Sequence, residues 1–372
     1  MNRRPFIFAT LFVPMTLGLG QISPIQRSLV SLESYAQTWH VEGTNEEQVI
    51  LEWGTPISLF LPVGERGQVR MASSSSGYYS YQIRRTALAS ADSSTSLVGL
   101  TNFRIEGDWA LSPQVLLGGN ISLPTGRTEL NEEELQAVAL FLKPELASRL
   151  PRPGSGFDFG CQLSAVRLIG ADWLGGGAIG YQNRGAYTPH DGGAEINPSD
   201  ELLLNVALEY SREGTKGRAA IAMTTFGSER AEGSKHFKSG DKYEFLLSGF
   251  TRIRETGFWG SFHHIRRNTN RIGSSLSFEP ENSHGPYTLV RFGANEPLGQ
   301  VFHLLAFFEG RWLGKNGYGK GAASVFGGGL EGALIFRASE LRLHVSYYEG
   351  ETDDGTRDLR GLSSSLRFVF LL

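Results

Sequence analysis

Charged and histidine side chains recur in the middle of short apolar stretches of this chain, and these polar groups are the first candidates for a functional site. Within each stretch they alternate with apolar residues, so that one face would be polar and the other apolar. Both signs of charge occur, which favours pairing of opposite charges over a centre of one sign. The thirteen candidates are Arg104, Glu106, Asp158, Glu209, Glu244, Arg291, His303, Glu309, Arg311, Glu331, Arg342, His344 and Arg367.

Two other groupings that could bind a cofactor or a metal have a simpler structural explanation. Residues 175–180 match the glycine pattern of a dinucleotide-binding loop, but Tyr181 continues a strand after them, which favours glycine within a wall of strands. His263 and His264 are adjacent, so they would point to opposite faces of one strand and cannot share a metal ion.

Acidic loops and cysteine also fail to indicate a catalytic or metal site. The loops at 190–193 and 353–355 could hold calcium, but neither has EF-hand spacing, and solvated turns are the better interpretation. Cys161 is the single cysteine, which excludes a disulfide and a cysteine metal site. No serine stands out with a base and an orienting partner. We therefore expect no enzyme activity, no cofactor and no bound metal.

The alternating faces must belong to β-strands, because side chains of a strand point to opposite sides in turn. In residues 201–211, apolar side chains from Leu202 to Tyr210 share one face, while Asn205 and Glu209 share the other. Counting back from Leu372 predicts fourteen strands, near 70–83, 97–106, 111–123, 156–169, 172–185, 201–212, 216–227, 242–253, 257–268, 286–295, 300–313, 324–336, 340–350 and 360–372.

Residues 37–67 lie outside this count and leave two alternatives open. The stretches 49–53 and 57–61 have the composition of strands. They could form one more hairpin, which would raise the number of strands to sixteen, or an N-terminal segment folded inside the barrel as a plug.

The connections between the predicted strands are of two very different lengths. Short turns are predicted at 107–109, 170–172, 213–215, 255–257, 296–298 and 338–339, and long polar loops at 124–155, 186–200, 228–241, 268–286, 314–323 and 350–359. Outer-membrane barrels have short periplasmic turns and long external loops. We therefore predict an all-β fold, a closed antiparallel transmembrane β-barrel over 68–372 with about fourteen strands, sixteen being the alternative.

A water-soluble secreted β-sandwich remains an alternative, because charges that face solvent produce the same alternation. Charged residues in mid-strand would be costly in a sandwich core unless they are paired, whereas in a barrel they would face a wet lumen. Trp109, Trp173, Trp259 and Trp312 fall at strand ends, which is typical of an aromatic girdle at the membrane interface.

One long loop is predicted to contain helix. Asn131 offers an N-cap with Glu134 at the third helical position. Leu135, Val138, Ala139 and Leu142 then share one helical face. We expect one or two short helices in this external loop. Their apolar face would cover the pore mouth or a neighbouring loop, as a gate or as packing on the rim.

Composition and the N-terminus indicate a compartment. The chain has 372 residues, a net charge of −3 and a mean hydropathy of −0.19, and no basic excess that would indicate a nucleic-acid partner. Residues 1–36 begin with two arginines, continue with an apolar core and end with small residues, which predicts a secretory signal cut after residue 20 or 36.

Four short motifs support a family resemblance. They are N-I-S-L-P-T-G at 120–126, G-F-D-F-G at 156–160, R-G-A-Y at 184–187 and N-P-S-D-E at 197–201. In these motifs the chain resembles outer-membrane transporter-like barrels of Gram-negative bacteria, including the phenol-degradation (meta-pathway) barrel family. The resemblance, which covers roughly 97–255, implies a barrel in the cell outer membrane that carries small solutes.

Two functions follow from the barrel prediction. The first is a pore, or a transporter for a moderately hydrophobic compound, in which the thirteen candidate residues line the lumen. The second is a closed barrel with a structural or surface-interaction role. In either case the expected partners are outer-membrane lipid and the barrel-assembly machinery, with a small-molecule solute in the first.

Overall fold

A computed structural model gives the structure of the chain and describes residues 28–85, 90–135, 143–149, 154–189, 192–274, 277–281 and 284–372. The described residues leave out most of the predicted signal, Val138, Ala139 and Leu142 of the predicted helix, and His190 and Asp191 of the loop at 190–193. Among the described residues, no helix is long and apolar enough to cross a membrane.

Twenty-two strands run in chain order through the described residues. They are β1 (Leu29–Gly43), β2 (Glu46–Val63), β3 (Gly67–Arg85), β4 (Ser90–Leu100), β5 (Phe103–Ser112), β6 (Val115–Leu123), β7 (Asp158–Leu168), β8 (Trp173–Asn183), β9 (Ile196–Asn197), β10 (Glu201–Arg212), β11 (Thr215–Phe226), β12 (Glu229–Ala231), β13 (Ser234–Lys238), β14 (Lys242–Ile253), β15 (Thr256–Arg267), β16 (Asn270–Ser274), β17 (Ser277–Glu281), β18 (Tyr287–Leu298), β19 (Phe302–Leu313), β20 (Ala323–Ile335), β21 (Ser339–Thr352) and β22 (Arg357–Leu371). The only other regular element described with its bounds is a 3-10 turn at Pro144–Leu146.

Seventeen of these strands form one antiparallel sheet that closes on itself, because β22 pairs with β1. β3 pairs with β4 through 75–85 and with β5 through 67–72, so β4 and β5 are two parts of one wall strand interrupted at Thr101 and Asn102. The wall is therefore a sixteen-stranded barrel, the larger of the two predicted numbers. The alternative of a β-sandwich is wrong, since closure leaves one continuous sheet without edges.

Residues 37–67 belong to this wall. β1 pairs with β2 from Leu29 to Gly43, and β2 pairs with β3 along its whole length. The wall consequently begins at Leu29 instead of residue 68, and residues 37–67 do not fill the lumen.

The two ends of the barrel differ in their connections. One end carries the start of β1, the end of β22 and turns of two to four residues; we call it the short-turn end. The opposite, long-loop end carries the connections at 124–157, 184–200, 227–241, 268–286 and 314–322. Two predicted turns are wrong, because 107–109 lies inside β5 and 296–298 inside β18; the chain turns at 113–114 and 299–301 instead.

The strand register sorts the side chains into an outer apolar face and an inner polar face. Large apolar residues on the outer face are exposed in nearly every wall strand, including Leu32, Ile57, Val98, Leu117, Leu163, Ile179, Val206, Ile221, Phe245, Phe292, Phe308, Leu330, Val345 and Leu366. Trp109, Trp173 and Trp312 belong to this exposed face, as predicted. Trp259 does not, because it shares the inner face with Ser261 and His263.

The long loops form a second, smaller sheet. It consists of β9, β12, β13, β16 and β17, which pair in that order. Sequence periodicity did not indicate these strands, because each has only two to five residues. A stretch that short does not complete enough alternations to be distinguished from a polar loop.

Candidate functional site in the barrel lumen

The thirteen candidate residues all occupy inner-face positions of the register. Arg104 and Glu106 lie on β5, Asp158 on β7, Glu209 on β10, Glu244 on β14, Arg291 on β18, His303, Glu309 and Arg311 on β19, Glu331 on β20, Arg342 and His344 on β21, and Arg367 on β22. Most of them make contacts with other inner-face groups.

The most deeply buried contact joins β18 and β19. Glu309 is 1% exposed and accepts hydrogen bonds from Nε of both Arg291 and Arg311. Two guanidiniums on one carboxylate compensate for the loss of hydration that the burial of all three charges requires. The three residues therefore form a fixed part of the wall instead of freely accessible charges.

A second cluster lies on β20 and β21. Arg342 donates to Glu331 at 2.9 Å and also to Glu340. His344 lies 3.9 Å from Glu331 and stacks on the ring of Phe307 with centroids 5.3 Å apart. Arg367 donates from Nε to the Ser31 hydroxyl at 3.1 Å. Opposite charges thus pair between neighbouring strands along the lumen wall.

The remaining candidates are distributed around the wall. Glu244 accepts from His263 at 3.0 Å and from Lys242 at 2.7 Å. Glu106 lies 3.3 Å from Arg70, and both side chains are more than 40% exposed. His264 lies on the other face of β15 and contacts the Thr288 hydroxyl at 2.9 Å, so the two histidines do point to opposite sides.

A segment that the sequence did not predict as luminal also occupies the lumen. Residues 143–149, which we call the lumen segment, belong to the loop between β6 and β7 and contact inner-face groups of four wall strands. Its backbone turns at Ala147, which has a φ of 44°. The segment that enters the barrel therefore comes from the first long loop and not from 37–67.

Polar contacts attach the lumen segment to β1 and β2. Gln37 donates to the carbonyl of Leu146 at 2.8 Å. Glu52 accepts from the backbone N–H of Arg149 at 2.7 Å and from the Ser148 hydroxyl at 2.8 Å. The guanidinium of Arg149 donates to Glu33 at 2.6 Å. Both buried carboxylates of this part of the wall are thus satisfied by the lumen segment.

On the opposite side, the lumen segment is held by β19 and β21. Arg311, already bound to Glu309, donates from a terminal nitrogen to the carbonyl of Glu145 at 3.0 Å. Its guanidinium lies 4.5 Å from the centroid of the Tyr348 ring. The carboxylate of Glu145 accepts from the Thr352 hydroxyl at 3.0 Å. The buried charge cluster of β19 therefore also positions the loop.

Apolar packing reinforces these polar contacts. Leu146 is 2% exposed and lies in the main buried cluster of the described residues. The rest of that cluster consists of Trp39, Val41, Ile50, Tyr78, Leu97, Leu130, Val325, Tyr348 and Leu359. Burying a leucine side chain contributes about 2 kcal/mol, which is comparable to one of the charge-assisted hydrogen bonds.

The loop before the lumen segment begins with the predicted helix start. The side chain of Asn131 accepts from the N–H of Glu134, and Glu134 accepts from the N–H of Asn131, both at 2.9 Å. This reciprocal pair is a capping box. Arg127 adds an ion pair to Glu134 at 2.5 Å.

The motifs of the family resemblance meet where this loop leaves and rejoins the wall. Asn102 donates to Ser155 at 2.9 Å and accepts from the N–H of Gly126 at 3.1 Å. Asp158 accepts from the N–H of Gly185 at 3.0 Å. An ion pair links Arg184 to Glu201 at 2.8 Å. Residues from all four motifs thus lie at one rim, at the base of the loop that enters the lumen.

The acidic turn at 353–355 has a structural role. Asp353 and Asp354 have positive φ, and Asp354 accepts from the N–H of Ala322 at 3.1 Å. Asp353 pairs with Arg357 at 3.3 Å. The Asp354 carboxylate joins the β21–β22 turn to the loop before β20, and the Asp353 carboxylate pairs within its own hairpin.

No protein-family model and no curated protein matches the chain. Among solved structures it is similar to OccK7 (OpdD) of Pseudomonas aeruginosa, with 7% identity, a TM-score of 0.46 and coverage of 93% of this chain and 100% of that one. It is also similar to the TodX deltaS2S3 mutant monoaromatic hydrocarbon channel, with 11% identity, a TM-score of 0.49 and coverage of 93% and 91%. An outer membrane channel from Pseudomonas putida F1 has 9% identity, a TM-score of 0.41 and coverage of 96% and 100%. Similarity at this level says nothing about what crosses the lumen of this chain.

Proposed function

We propose that the chain is an outer-membrane channel for small solutes, in which residues 143–149 narrow the lumen. The observation that carries the proposal is the division of the closed sixteen-stranded wall into an apolar outer face and a charged inner face. A membrane-spanning barrel needs both faces, since one contacts lipid and the other contacts water.

The outer face supports insertion into a bilayer. In hydrocarbon every backbone N–H and C=O must be satisfied within the protein, and a closed barrel meets this requirement because it has no edge strand. Val206 on β10 and Ile221 on β11 are more than 60% exposed. A soluble protein would have no reason to expose such residues in a continuous band around its surface.

The inner face supports a lumen that is narrowed on one side. Barrels of sixteen strands enclose more space than their own inward side chains can fill. The lumen segment occupies the side formed by β1, β2, β19 and β21. Many of the inner positions of β6 to β11 are small by contrast, including Gly118, Asn120, Gly160, Gly176, Ala178, Gly180, Asn205, Ala207 and Ala222. Space for a solute therefore remains on the side of β6 to β11.

The class of solute is a finer part of the proposal. The paired charges of both signs argue against strong selectivity for anions or cations. The resemblance to barrels of the phenol-degradation type favours small aromatic or moderately hydrophobic compounds.

Secretion and assembly belong to the same proposal. A signal cut after residue 20 would leave β1 whole, whereas a cut after residue 36 would remove 29–36, which pair with both β2 and β22. We therefore favour the earlier site and assembly of the mature chain by the barrel-assembly machinery. N-terminal sequencing of protein from outer-membrane fractions decides between the two sites.

Planar-bilayer recording of the refolded full-length mature chain tests the channel. We expect discrete conductance steps in KCl, and no steps from the same preparation after it has been heat-denatured. A protein that inserts into the bilayer but never conducts would instead support the second function, a closed barrel with a structural role. A mature protein found in the soluble periplasmic fraction would contradict both.

A further inference from the structure

The second sheet carries two pairs of cations that face each other across neighbouring strands. Arg230 on β12 is the register partner of Lys235 on β13, and Lys238 on β13 is the register partner of Arg271 on β16. Like charges directly opposite each other destabilise a sheet. Two such pairs among strands this short therefore indicate a partner that supplies negative charge.

Both pairs lie on one face of the second sheet. Glu229 and Phe237 are register partners and so share a face. Arg230 follows Glu229, and Lys238 follows Phe237, so each lies on the opposite face. The carboxylate of Glu229 is engaged by His236 at 3.1 Å. We call the side that carries all four cations the basic face.

The four cations of the basic face have no carboxylate partner. Arg230, Lys235 and Arg271 are exposed, and Lys238 is half-buried. Within the part of the chain that the structure describes, none of the four forms an ion pair. Their charges are therefore available to a ligand from outside the chain.

The described carboxylates around the second sheet lie off the basic face. Glu281 lies on the other face as the register partner of Asn270, and it accepts from that amide at 2.7 Å. Glu195 and Glu232 lie outside the strands at one edge, where the N–H of Glu232 donates to the carbonyl of Glu195 at 3.2 Å. Asp241 lies between β13 and β14. A ligand on the basic face consequently meets cations before it meets a carboxylate.

The basic face lies directly beyond the membrane-spanning wall. Lys242 on β14 and Arg267 on β15 are register partners in the wall. Lys238 and Arg271, four residues further along each strand, keep the same register. Four residues of extended chain span about 13 Å, so the basic face is close to the border of the external leaflet.

A fifth cation on the same hairpin faces the lipid. Arg266 is exposed on the outer face of β15, the face that His264 shares, and its register partner is Tyr243. Arginine in the middle of the lipid face is costly, whereas at the end of a strand it can reach the headgroups. Arg266 thus favours a negative partner that belongs to the membrane over one dissolved in water.

We infer that the basic face and Arg266 bind a glycolipid of the external leaflet through phosphate groups on its saccharide headgroup. Guanidinium and ammonium groups donate charge-assisted hydrogen bonds to phosphate oxygens. Lys235 and Lys238 are three residues apart, which separates the two cation pairs by about 10 Å. A disaccharide with a phosphate at each end can reach both pairs, while its acyl chains pack on the apolar outer face of β14, where Phe245 and Leu247 are exposed. The inference requires the barrel to be in the membrane, but it does not require the barrel to conduct.

Titration of the folded full-length mature protein in detergent tests the site, with bisphosphorylated lipid A as the probe. Monophosphorylated lipid A is the comparison, because it keeps the saccharide and lacks one phosphate. We expect the bisphosphorylated lipid to bind about fivefold more tightly or better. The difference should shrink at about 1 M NaCl, since salt screens exposed charges. Equal affinities for the two lipids at low salt would overturn the inference.

Single-charge variants locate the site. Lys238→Gln and Arg271→Gln should each weaken binding of the bisphosphorylated lipid about fivefold. Neither should lower the urea midpoint of the lipid-free protein, because each removes a repulsion between strands. Lys320→Gln is the matched control at an exposed position in the loop between β19 and β20, and it should change neither quantity. If Lys238→Gln and Lys320→Gln bind the lipid equally well, the basic face is not the site.

Pyrophosphate distinguishes a membrane lipid from a soluble phosphate compound. We expect it to bind more weakly than the bisphosphorylated lipid, because it makes no contact with the outer face. Arg266→Gln should weaken lipid binding and leave pyrophosphate binding as it was. If pyrophosphate binds as tightly as the lipid, or if Arg266→Gln leaves lipid binding unaltered, the partner is not a lipid and the inference is overturned.

Discussion

The guanidinium of Arg149 lies 2.6 Å from the carboxylate of Glu33, although the two residues are 116 positions apart in the chain. The same guanidinium lies 4.6 Å from the centroid of the Tyr35 ring. Glu33 is only 9% exposed, so the contact takes place away from bulk water. Arg149 therefore joins the end of the lumen segment to β1, the strand that closes the barrel.

Replacing Arg149 should loosen the lumen segment. Arg149→Ala removes the ion pair and the ring contact, at a cost to the anchored state of about 2 kcal/mol. We expect a larger and noisier single-channel conductance than that of the unaltered protein, because the segment would leave its position more often. Single-channel recording in a planar bilayer measures both quantities.

Arg70→Ala is the matched control for this change. Arg70 pairs with Glu106 at 3.3 Å within the wall. Removing an exposed pair of this kind should change stability by less than about 1 kcal/mol and leave the current noise as it was. A folded Arg149→Ala protein with unaltered conductance and noise would show that the lumen segment does not limit the current.

Glu309 should be far more important for stability than its single charge suggests. Glu309→Gln leaves Arg291 and Arg311 close together without their shared carboxylate. Breaking a buried ion pair by removing one partner costs about 3–5 kcal/mol. We expect the barrel to unfold at lower urea concentration and to lose its folded gel mobility at lower temperature.

Glu106→Gln provides the comparison for that experiment. Glu106 is also an inner-face carboxylate, but its side chain is 42% exposed. Water can therefore hydrate Arg70 when the carboxylate is replaced. Its loss should cost less than about 1 kcal/mol. Equal urea midpoints for the two variants would mean that the Glu309 cluster is hydrated and not a buried network.

The sequence could predict the wall because each strand repeats one simple physical signal. Alternation at period two assigned the inner face correctly in the register of every strand that carries a candidate residue, from Arg104 on β5 to Arg367 on β22. Lipid on one side and water on the other impose this alternation along the whole strand. The capping box of Asn131 and Glu134 was also predictable, because its two residues are only three positions apart in the chain.

The contents of the lumen could not be predicted in the same way. Gln37 binds Leu146, and Arg311 binds Glu145, across 109 and 166 residues of chain. Such contacts leave no periodic pattern, so residues 143–149 looked like an ordinary external loop. The place of Trp259 at a strand end predicts a ring at the membrane interface, whereas its register with Phe250 puts it on the inner face. An error of one residue in the predicted register moves a side chain to the opposite face of the strand, because the two faces alternate.

The register of β10 can be tested with charge on either face. Val206 is 68% exposed on the outer face, and Asn205 beside it faces inward. Arginine at a lipid-facing site near the middle of a membrane costs about 2–4 kcal/mol, whereas a lumen site accepts it. Val206→Arg should therefore reduce assembly into the outer membrane, measured by the yield of folded protein, while Asn205→Arg should assemble and alter conductance.

Asn205 is a better inner-face position for this test than Ala207. Ala207 is 4% exposed and packs against Ala220, so an arginine there would overfill the cluster for reasons unrelated to the membrane. If Val206→Arg and Asn205→Arg assemble equally well, β10 does not cross the bilayer in this register.

The rim at the base of the loop should tolerate no side chain at Gly156. A Cβ at this position would lie 2.4 Å from the carbonyl oxygen of Ala186 and 2.5 Å from the carbonyl carbon of Gly185. Both are backbone atoms that cannot rotate away. Gly156→Ala should therefore separate the end of the first long loop from the β8 rim and weaken the hydrogen bond from Gly185 to Asp158.

Because that rim supports the lumen segment, the expected result of Gly156→Ala is twofold: faster cleavage of the loop by protease added outside intact cells, and a noisier current in the bilayer. Gly170→Ala is the control, since a Cβ in the β7–β8 turn meets nothing within 4 Å. It should change neither quantity. Should Gly156→Ala resist protease as well as the unaltered protein while assembling normally, the close approach of Gly156 to Gly185 would not be needed to hold the loop in the lumen.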